Sequence, residues 1–568
     1  MTNYQFTGGT ICAPATIPGT GAISIIRVSG KESLAIADKV IDTKGVPIAE
    51  TEGYRLRYGT VFEADGSVLD NVIVSVFRAP HSYTGENSVE ISCHASRFIV
   101  NKILELLVNA GARIAAPGEF TRRAFVNGKM DLAQAEAVAD VIASQSAASH
   151  RVAMNQLKGG FSSELKALRE KLLTMTSLLE LELDFSEEDV EFASRKELGQ
   201  LVDDSLTHIR RLTASFSRGN AIKNGVPVAI VGATNTGKST LLNALLGEER
   251  AIVSDIAGTT RDTIEETLNI DGILFRFIDT AGIRETDETI EKIGIDRTFK
   301  KLGEAAVVLG MTDLSRGEAA VLEDADFILS KVNEMGGVKN VGAVNDGSEI
   351  GGASIVGTGG APLAGTDGAS LAETGEAPLS GTDGTSRAET GGASRHGHGD
   401  GQERKVVILV NKCDVAGDFY RDDNGTVYGS GNDLGENMAE IGGNKNVNHD
   451  NNIVSLIENK YDNCKVIPIS AKTGKGLSTL TKTLGEIGSE ITGSTDETLV
   501  TNIRHYEALV RAATALGRVR DGLQVATLPP DLIAQDLREA LYHLGEIVGE
   551  ISTEEVLGNI FRNFCIGK

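Results

Sequence analysis

Hydrophobic side chains recur every three or four residues in two separate stretches of the chain, at about residues 130–220 and 500–568. This spacing puts them on one face of a helix, so both stretches are predicted to be mostly helical. The apolar positions of the first stretch are Leu165, Leu168, Leu172, Met175, Leu179 and Leu183. In the second stretch, Pro529-Pro530 marks the start of a helix. Because a different pattern lies between them, the two stretches are expected to pack together as one interrupted helical domain.

The N-terminal residues 1–128 show a different pattern, with short β-branched runs between glycines and polar residues. Residues 23–28 and 72–77 are predicted strands, residues 94–110 are a predicted helix, and Pro117-Gly118 is a predicted turn. This part of the chain is therefore predicted to be a mixed α/β domain.

Strand and helix patterns alternate between about residues 225 and 488, as is typical of a parallel sheet. The predicted strands are residues 228–231, 274–278, 305–309, 406–410 and 466–469.

Two segments interrupt this alternation. Residues 337–403 are rich in Gly, lack Phe, Tyr and Trp, and contain two copies of a repeat, GAPLAGTDGASLAETG and EAPLSGTDGTSRAETG. Such a segment has too little apolar surface to offset its ordering entropy, so it is predicted to be a disordered insertion. The alternative is a solenoid, but two copies are too few and too polar for one. Residues 421–452, rich in Asn, Gly and Asp, are predicted to be a second flexible loop.

Composition narrows the class of protein. The chain has 568 residues, 41% hydrophobic and 24% charged, and no apolar run approaches the ~18–20 residues of a membrane span. Its five cysteines form no CxxC pair, and its N-terminus lacks the pattern of a signal peptide, so a reducing, cytoplasmic environment is expected. The net charge of -24 argues against a protein that binds nucleic acid through its overall charge, although a local basic groove is compatible with it.

A phosphate-binding loop is predicted at residues 232–239, GATNTGKS, which fit GxxxxGK[ST] between a strand and a helix. Backbone N–H groups of such a loop wrap phosphates, and the helix N-terminus adds positive potential. Lys238 is expected to neutralise the outer phosphates, and the Ser239 hydroxyl to bind Mg²⁺. The alternative is a glycine-rich turn without a ligand.

The base is predicted from two later loops, because such phosphate loops also serve ATP. Asn411-Lys412-Cys413-Asp414 follows one strand, and the Asp414 carboxylate can accept two hydrogen bonds from guanine that adenine cannot donate. Ser470-Ala471-Lys472 follows the next strand and can offer a backbone N–H to the guanine carbonyl. The two loops in this order after a phosphate loop predict a guanine nucleotide.

Two segments resemble switch regions. Asp279-Thr280-Ala281-Gly282 ends a predicted strand, where Asp279 is expected to hold Mg²⁺ through water and the Gly282 amide to face the γ-phosphate. Thr259-Thr260-Arg261 precede it, and a Thr hydroxyl there reaches Mg²⁺ only with the γ-phosphate present. Ile283 occupies the position where many GTPases have the glutamine that orients water, and no arginine finger is evident.

These motifs, in this order, resemble the tRNA-modification GTPase family MnmE, also called TrmE. The resemblance rests on PGTGAISIIRVSG, SYTGENSVEI, PGEFTRRAFVNGKMDLAQAEAVADVI, AIVSDIAGTTRD, IDTAGIRETDETIEKIGIDR and the terminal FCIGK, and covers nearly all of the chain apart from the two insertions. It implies an N-terminal folate-binding-like and dimerisation domain (1–128), a helical domain in two parts (129–222 and 491–568), and a Ras-like P-loop G domain (223–490) inserted between them.

The resemblance also implies a potassium-activated GTPase, in which a cation stands where an arginine finger would. It assigns the K⁺ ligands to Asn235, Ser254, Ile256 and Thr259, Mg²⁺ to Ser239 and Thr260, and the positioning of water to Glu291. The GTP-binding residues implied are Asn235, Thr236, Gly237, Lys238, Ser239, Thr240, Ser254, Asp255, Ile256, Ala257, Gly258, Thr259, Thr260, Asp279, Thr280, Ala281, Gly282, Asn411, Lys412, Asp414, Ser470, Ala471 and Lys472.

For the N-terminal domain, the resemblance points to a tetrahydrofolate site formed by Arg27, Glu90, Lys129 and Lys568. Cationic side chains suit the anionic tail of folate, and a carboxylate can accept from the pterin N–H groups. The family places Cys565 near this site. Its thiolate can add to a uracil ring, a positioning role is equally compatible with the sequence, and a buried structural cysteine is the alternative.

The function implied is GTP hydrolysis coupled to modification of the wobble uridine of certain tRNAs. The implied partners are a second copy of the chain, tRNA and an FAD-dependent MnmG-type protein, with aminomethyl or carboxymethylaminomethyl groups as products. A ribosome-assembly GTPase of the Era or Der type is the alternative, but such proteins carry a basic RNA-binding domain or a second G domain. A self-assembling GTPase of the dynamin or septin kind is a third class, for which membrane-binding or coiled-coil stretches are expected, and none is visible. A bacterial cytosol and an organelle both fit the sequence.

Overall fold

The computed structural model describes residues 8–184, 195–249, 266–278, 305–334, 404–414, 420–421, 427–428, 453–461, 464–493, 497–524, 529–551, 553–562, 564 and 567. They fall into two compact units. The first takes its residues from Met1–Val228, Leu242–Ala281 and Leu477–Lys568, and the second from Ala229–Leu241 and Gly282–Gly476.

The N-terminal part of the first unit is a mixed α/β domain. Its strands are β1 (Ile11–Pro14), β2 (Ile23–Ser29), β3 (Ile41–Asp42), β4 (Arg55–Phe62), β5 (Val68–Phe77), β6 (Ser88–His94) and β7 (Arg113–Ile114), and its helices are α1 (Ser33–Val40), α2 (Arg97–Asn109) and α3 (Glu119–Val126). The seven strands form one sheet in the order β3-β4-β5-β6-β2-β1-β7. Buried Leu34 and Ile36 of α1 and Ile103 and Leu107 of α2 share a core with the strand valines, because the apolar residues of both helices lie on one face.

The next part of the first unit is helical, with α4 (Leu132–Ala143), α5 (Ala147–Leu157), α6 (Gly160–Asp184), α7 (Arg195–Ala214) and α8 (Phe216–Asn224). Asp131 and Ser146 start α4 and α5 with capping boxes, which satisfy backbone N–H groups that have no partner inside a helix. The predicted stripe lies on α6, where Leu165, Leu168, Leu172 and Leu179 are buried. The side chain of Leu183 is outside the described residues.

Strands and helices alternate in the middle of the chain. They are β8 (Val226–Gly232), α9 (Lys238–Glu249), β9 (Glu266–Ile270), β10 (Ile273–Ile278), β11 (Val307–Asp313), α10 (Glu318–Glu334), β12 (Lys405–Asn411), β13 (Tyr420–Arg421), β14 (Val427–Tyr428), α11 (Ile453–Lys460) and β15 (Cys464–Pro468). In the second unit the sheet order is β15-β12-β11-β8, and β12 runs parallel to both β11 and β15, as the sequence predicts. The carboxyl ends of these strands therefore meet at one edge, where ligands bind in open α/β sheets.

The predicted flexible loop at 421–452 differs in one respect from the structure. Tyr420–Arg421 pairs with Val427–Tyr428 in a two-stranded antiparallel sheet. The aromatic and β-branched residues of these short runs favour extended backbone. All of residues 337–403, and the remainder of 421–452, lie outside the described residues.

A hairpin in the first unit departs from the predicted all-parallel pattern. Strand β9 was not predicted, and it pairs antiparallel with β10. The turn between them is Asp271-Gly272, and both residues have positive φ, 52° and 80°. This is the geometry that a two-residue turn needs to match the twist of its strands, and Asp-Gly is a favoured pair for it.

The described residues after β15 form helices α12 (Leu477–Thr492), α13 (Ile503–Leu523), α14 (Pro530–Val548) and α15 (Glu554–Arg562). Buried residues of α13 and α14 share one core with those of α6 and α7, so the two predicted helical stretches do pack together. Among the described residues, no helix has the length and apolar character needed to cross a membrane.

Candidate functional site

The phosphate-loop motif connects β8 to α9 in the second unit. Asn235 has a left-handed backbone, φ 61°, and its side chain is exposed, whereas Thr236 is fully buried and its hydroxyl donates to the Ala233 carbonyl at 2.9 Å. Gly237 also has positive φ, 98°, and a Cβ on it would lie 2.5 Å from Asn411 Nδ2. A side chain at Gly237 would displace that amide, so the close approach requires glycine here.

Lys238 begins α9 and turns its ammonium towards its own loop. Its Nζ donates to the carbonyl oxygens of Gly232 at 2.9 Å and Ala233 at 2.7 Å. Burial lowers the pKa of the Lys238 ammonium, because a charged group loses hydration there. An ammonium has three N–H donors, and these two bonds to described residues use two of them.

Asn411 joins three loops. It ends β12 and is only 3% exposed. Its Nδ2 donates to the Thr236 carbonyl at 2.6 Å, and its Oδ1 accepts from the Ala471 backbone N–H at 3.0 Å. The phosphate loop, the Asn411–Asp414 loop and the Ser470–Lys472 loop are therefore held together by one buried amide, at the carboxyl edge of the sheet.

The two predicted base-reading loops also contact each other directly. The Cys413 N–H donates to the Ile469 carbonyl at 3.3 Å, and the Ser470 hydroxyl accepts from the Thr473 N–H at 3.2 Å. The Cys413 thiol is buried against the Val410 carbonyl, and this burial raises its pKa to about 12. Cys413 is therefore a structural thiol, and the Asp414 carboxyl beside it is partly exposed.

A second candidate site lies in the N-terminal domain. Arg27 and Glu90 face each other on the neighbouring strands β2 and β6. Nε and Nη2 of Arg27 donate to Glu90 Oε1 at 3.0 and 2.8 Å. The guanidinium also lies over the rings of Tyr83, at 5.1 Å, and Phe120, at 5.7 Å. A cation, a carboxylate and two aromatic rings thus converge at one partly exposed position.

Two other segments contain residues predicted for this site, or their described neighbours. Lys129 Nζ donates to the Pro80 carbonyl at 3.1 Å. A Cβ on Gly567 would lie 2.0 Å from the Pro14 carbonyl oxygen. Pro14 is the neighbour of Ala13, which pairs with Arg27 across β1 and β2. Gly567 therefore lies beside the strand pair that carries Arg27.

Two protein-family models match this sequence. The model for "MnmE helical domain" matches residues 132–565, and the model for "GTP-binding protein TrmE N-terminus" matches residues 10–129. The chain belongs to the MnmE family.

Individual MnmE relatives match nearly the whole chain. The protein named tRNA modification GTPase MnmE from Parabacteroides distasonis is 43% identical over 98% of this chain and 100% of its own length. The proteins of the same name from Bacteroides thetaiotaomicron and Porphyromonas gingivalis are 42% and 41% identical, over 98% and 100% of this chain and 99% of each relative. The match over nearly the whole length favours MnmE over the Era or Der alternative.

Several residues singled out by the MnmE resemblance are outside the described part of the structure. They are Ser254, Asp255, Ile256, Ala257, Gly258, Thr259, Thr260, Asp279, Thr280, Ala281, Gly282, Glu291, Cys565 and Lys568. Their roles stay predictions. Of the described residues, the structure brings together Thr236, Gly237, Asn411 and Ala471 in one site, and Arg27 with Glu90 in the other.

The structure also adds residues that the sequence analysis missed. Tyr83 and Phe120 lie beside Arg27, and Asp313 forms an ion pair with Lys412. Tyr83 and Phe120 lie in SYTGENSVEI and PGEFTRRAF, two segments that carry the MnmE resemblance. These segments could have indicated that the two residues belong near the candidate site. The sequence indicated Asp313 more weakly, as a carboxylate at the carboxyl end of a buried strand.

Proposed function

We propose that this protein is a GTP hydrolase that acts in tRNA modification. The observation that carries the proposal is the Asn411 side chain, which joins the phosphate loop to both loops predicted to read guanine. Loops that merely happened to match motifs would have no reason to converge on one buried amide. The names of the relatives, tRNA modification GTPase MnmE, supply the biological process.

The phosphate end of the site is assigned to the loop before α9 and to the first turn of that helix. Two of the three Lys238 donors meet described loop carbonyls, and the third is proposed to meet a phosphate oxygen. Loop N–H groups and the helix N-terminus add positive potential. Mg²⁺ bound to the phosphates would neutralise their charge, and the half-buried Ser239 hydroxyl is the described oxygen that suits it. Thr260 and Asp279 are the proposed further ligands, Asp279 through water.

The base end is assigned to Asp414 and the Ser470–Lys472 loop. The Asp414 carboxylate accepts from the ring N–H and the amino group of guanine. The Ala471 N–H is already bound to Asn411 at 3.0 Å. The neighbouring Lys472 N–H is therefore the donor we assign to the guanine carbonyl.

Charge neutralisation during hydrolysis is assigned to K⁺ in place of an arginine finger. The left-handed Asn235 leaves its amide exposed on the phosphate loop, where its oxygen can bind a cation. The proposed further ligands are Ser254, Ile256 and Thr259. Glu291 is proposed to position the attacking water, because the apolar Ile283 side chain cannot accept its proton.

The N-terminal site is proposed to bind a tetrahydrofolate derivative that carries the one-carbon unit. Glu90 would accept from pterin N–H groups, Tyr83 and Phe120 offer ring faces to a flat heterocycle, and Arg27 and Lys129 suit an anionic tail. Lys568 is proposed to contribute from the C-terminal end, close to the observed contact of Gly567 with Pro14.

Cys565 is proposed to act at this folate and uridine site. The Cys565→Ser variant should lose tRNA modification and keep GTP hydrolysis. Normal modification in this variant would exclude an essential thiol, and loss of GTPase activity would show a structural role instead.

The proposed organisation follows from these assignments. Residues 1–128 form a folate-binding-like and dimerisation domain, residues 129–222 and 491–568 a discontinuous helical domain, and residues 223–490 an inserted Ras-like G domain. The proposed assembly is a homodimer that works with an MnmG-type FAD protein on tRNA in the cytoplasm. FAD belongs to that partner, and the product is a carboxymethylaminomethyl or aminomethyl group at C5 of the wobble uridine.

The experiment that tests the function is mass spectrometry of wobble-uridine nucleosides from a strain that lacks this chain. We expect the C5-modified nucleosides to be missing and to return with the wild-type gene. They should not return with the Lys238→Ala variant, which loses the phosphate-facing ammonium. Unchanged nucleosides in the strain without the chain would refute the proposal.

A further inference from the structure

An ion pair stands beside the predicted guanine-reading loop. Lys412 Nζ lies 2.6 Å from Asp313 Oδ2. Asp313 ends β11 opposite Asn411, the last residue of the neighbouring parallel strand β12, and Lys412 directly follows Asn411. The pair therefore lies at the carboxyl edge of the sheet, one residue from the amide that joins the three loops and two residues from Asp414.

Lys412 adopts a backbone conformation that a lysine rarely takes. Its φ is 63°, in the left-handed region where a Cβ-bearing residue is strained unless its surroundings hold it there. The ammonium of the same residue is paired with the Asp313 carboxylate. That carboxylate is buried to 7% exposure and also accepts from the Ser315 N–H and hydroxyl.

The Asp313 carboxylate is charged at neutral pH. Burial alone raises the pKa of Asp313, but the hydrogen bonds from Lys412 and Ser315 outweigh burial and lower it. A charged carboxylate at this point attracts the Lys412 ammonium, which lies 2.6 Å from it.

The pair is not needed to hold the two strands together. Strands β11 and β12 already pair in parallel over their whole length, from Val307 opposite Lys405 to Asp313 opposite Asn411. The residues of the strands are buried on both faces. The ion pair instead fixes the direction of the Lys412 side chain, and Lys412 lies between Asn411 and the residues Cys413 and Asp414.

We propose that Asp313 is a positioning residue for guanine recognition, which acts through Lys412 to hold the Asn411–Asp414 loop in its binding conformation. The inference rests on the proposed guanine-nucleotide site and adds a residue to it. Asp313, at the end of β11, would then contribute to the selection of guanine over adenine.

The test is the Asp313→Asn variant, which keeps the side-chain volume and an oxygen for Ser315 but removes the charge. GDP and ADP affinities are measured by titration calorimetry, together with GDP dissociation rates and kcat for GTP. We expect GDP to bind roughly tenfold more weakly, mainly through faster dissociation, while ADP binding changes little, so that selectivity falls by the same factor. The kcat at saturating GTP should stay within about twofold, because the phosphate contacts are untouched.

The matched control is Asp326→Asn. Asp326 pairs with Lys460 at 2.7 Å in the same unit but on helix α10. The Asp326→Asn variant should keep the GDP affinity of the wild type and its selectivity for GDP over ADP. A role of Asp313 in stability alone would lower the melting temperature of Asp313→Asn and leave the affinity and selectivity of the folded protein at wild-type values, which would overturn the inference.

Two further results keep the inference distinct from the proposed function. Failure of the wild-type protein to bind GDP would refute the guanine site itself. If Asp313→Asn does not fold, Lys412→Met can still supply the overturning result, because Asp313 is inferred to act through Lys412, which is itself a predicted GTP-binding residue. Wild-type GDP affinity in folded Lys412→Met would then overturn the inference.

Discussion

Single polar side chains organise the nucleotide site. Asn411 satisfies a carbonyl of one loop and an N–H of another with the two ends of one amide. An aspartate at this position would lack the donor, and an alanine would leave both backbone groups without a partner. Removing one partner from a buried hydrogen bond costs about 1–3 kcal/mol. The arrangement of the three loops therefore depends on a side chain whose donor and acceptor match the backbone groups around it.

The K⁺ assignment makes a prediction for Asn235. Exchange of K⁺ for Na⁺ should lower kcat strongly, because arginine fingers contribute ~10³–10⁵-fold and the cation takes that role. Asn235→Ala should remove most of the response to K⁺. Hydrolysis rates and GDP affinities in the two salts measure this, with little change expected in affinity. Equal rates in K⁺ and Na⁺ would contradict the assignment.

Asp414 makes the corresponding prediction for the base. Asp414→Asn should weaken GTP binding by about 2–3 kcal/mol, because a charge-assisted pair of hydrogen bonds is lost. The new amide can donate to the 2-carbonyl of xanthine, so XTP should bind this variant better than the wild type. Competition binding with GTP, XTP and ATP checks both effects. Unaltered GTP affinity would mean that another loop reads the base.

At the scale of elements, two glycines let the β9–β10 hairpin approach helix α12. A Cβ on Gly485 would lie 2.5 Å from Asp271 Oδ2, and one on Gly488 would lie 2.6 Å from Phe275 Cζ. Phe275 is fully buried, so its ring has little room to move. The lack of a side chain at these two positions of α12 allows this packing.

Gly488→Ala should therefore destabilise the protein by about 1–3 kcal/mol, because the added methyl group overpacks the contact with Phe275. Thermal unfolding measures the effect. The control is Gly517→Ala on α13, where nothing lies within 4 Å of the new Cβ. That substitution should stabilise the protein by up to about 1 kcal/mol, since alanine favours the helix. A melting temperature that rises in both variants would show that the hairpin is not tightly packed.

The helices and strands predicted from the sequence agree with the structure where the hydrophobic pattern is strong. They differ where strand pairing determines the element or its ends. The leucine stripe of α6, the buried strands β8, β11, β12 and β15, and the start of α14 at Pro530 follow from local pattern. Strand β9 was missed, because its sequence, ETLNI, is half polar and its pairing depends on the Asp271-Gly272 turn. Helix α2 begins at Arg97 rather than residue 94, because His94 is still paired with Ile23 in the sheet.

At the scale of the whole molecule, a buried charge cluster joins the two helical stretches. Glu136 of α4 accepts from Arg504 Nε and Nη2 of α13 at 3.0 Å each, across a separation of 368 residues. His505 lies 2.7 Å from the same carboxylate and is fully buried. Burial opposes ionisation of Glu136, but His505 and Arg504 outweigh it and lower its pKa to about 2. Burial also lowers the pKa of His505.

Both shifts predict that stability falls in acid. A depressed folded-state pKa means that the unfolded chain takes up protons first. The contribution of His505 is therefore complete above about pH 6.5 and declines below it, and that of Glu136 declines from about pH 4.5 towards pH 2. Melting temperatures between pH 8 and pH 3 check the sign. A melting temperature that rises towards acid would contradict it.

Glu136→Gln tests the cluster directly. It should lower stability by about 3 kcal/mol, because the partly buried Arg504 is left without its anion. The control is Glu180→Gln, since Glu180 pairs with Arg538 across 358 residues but on the surface. It should change stability by less than about 1 kcal/mol. Equal effects of the two variants would mean that burial of the first pair is not what stabilises the fold.

The insertion at residues 337–403 makes the last prediction. Its composition contains no aromatic anchor for a core, so deletion with a short Gly-Ser linker should leave melting temperature and basal kcat nearly unchanged. Thermal unfolding and GTPase assays of the deletion variant measure this. A marked fall in melting temperature would show that the segment packs against the rest of the chain.

Residues close together in the chain are enough to identify the family, the order of the nucleotide-binding motifs and the helical or strand character of most long elements. Contacts between distant residues follow only from the folded structure. Arg27 with Glu90 and Tyr83, Asp313 with Lys412, and Glu136 with Arg504 became partners through strand register and helix packing. Local patterns carry no information about such pairs, since their geometry arises only when the whole core is packed.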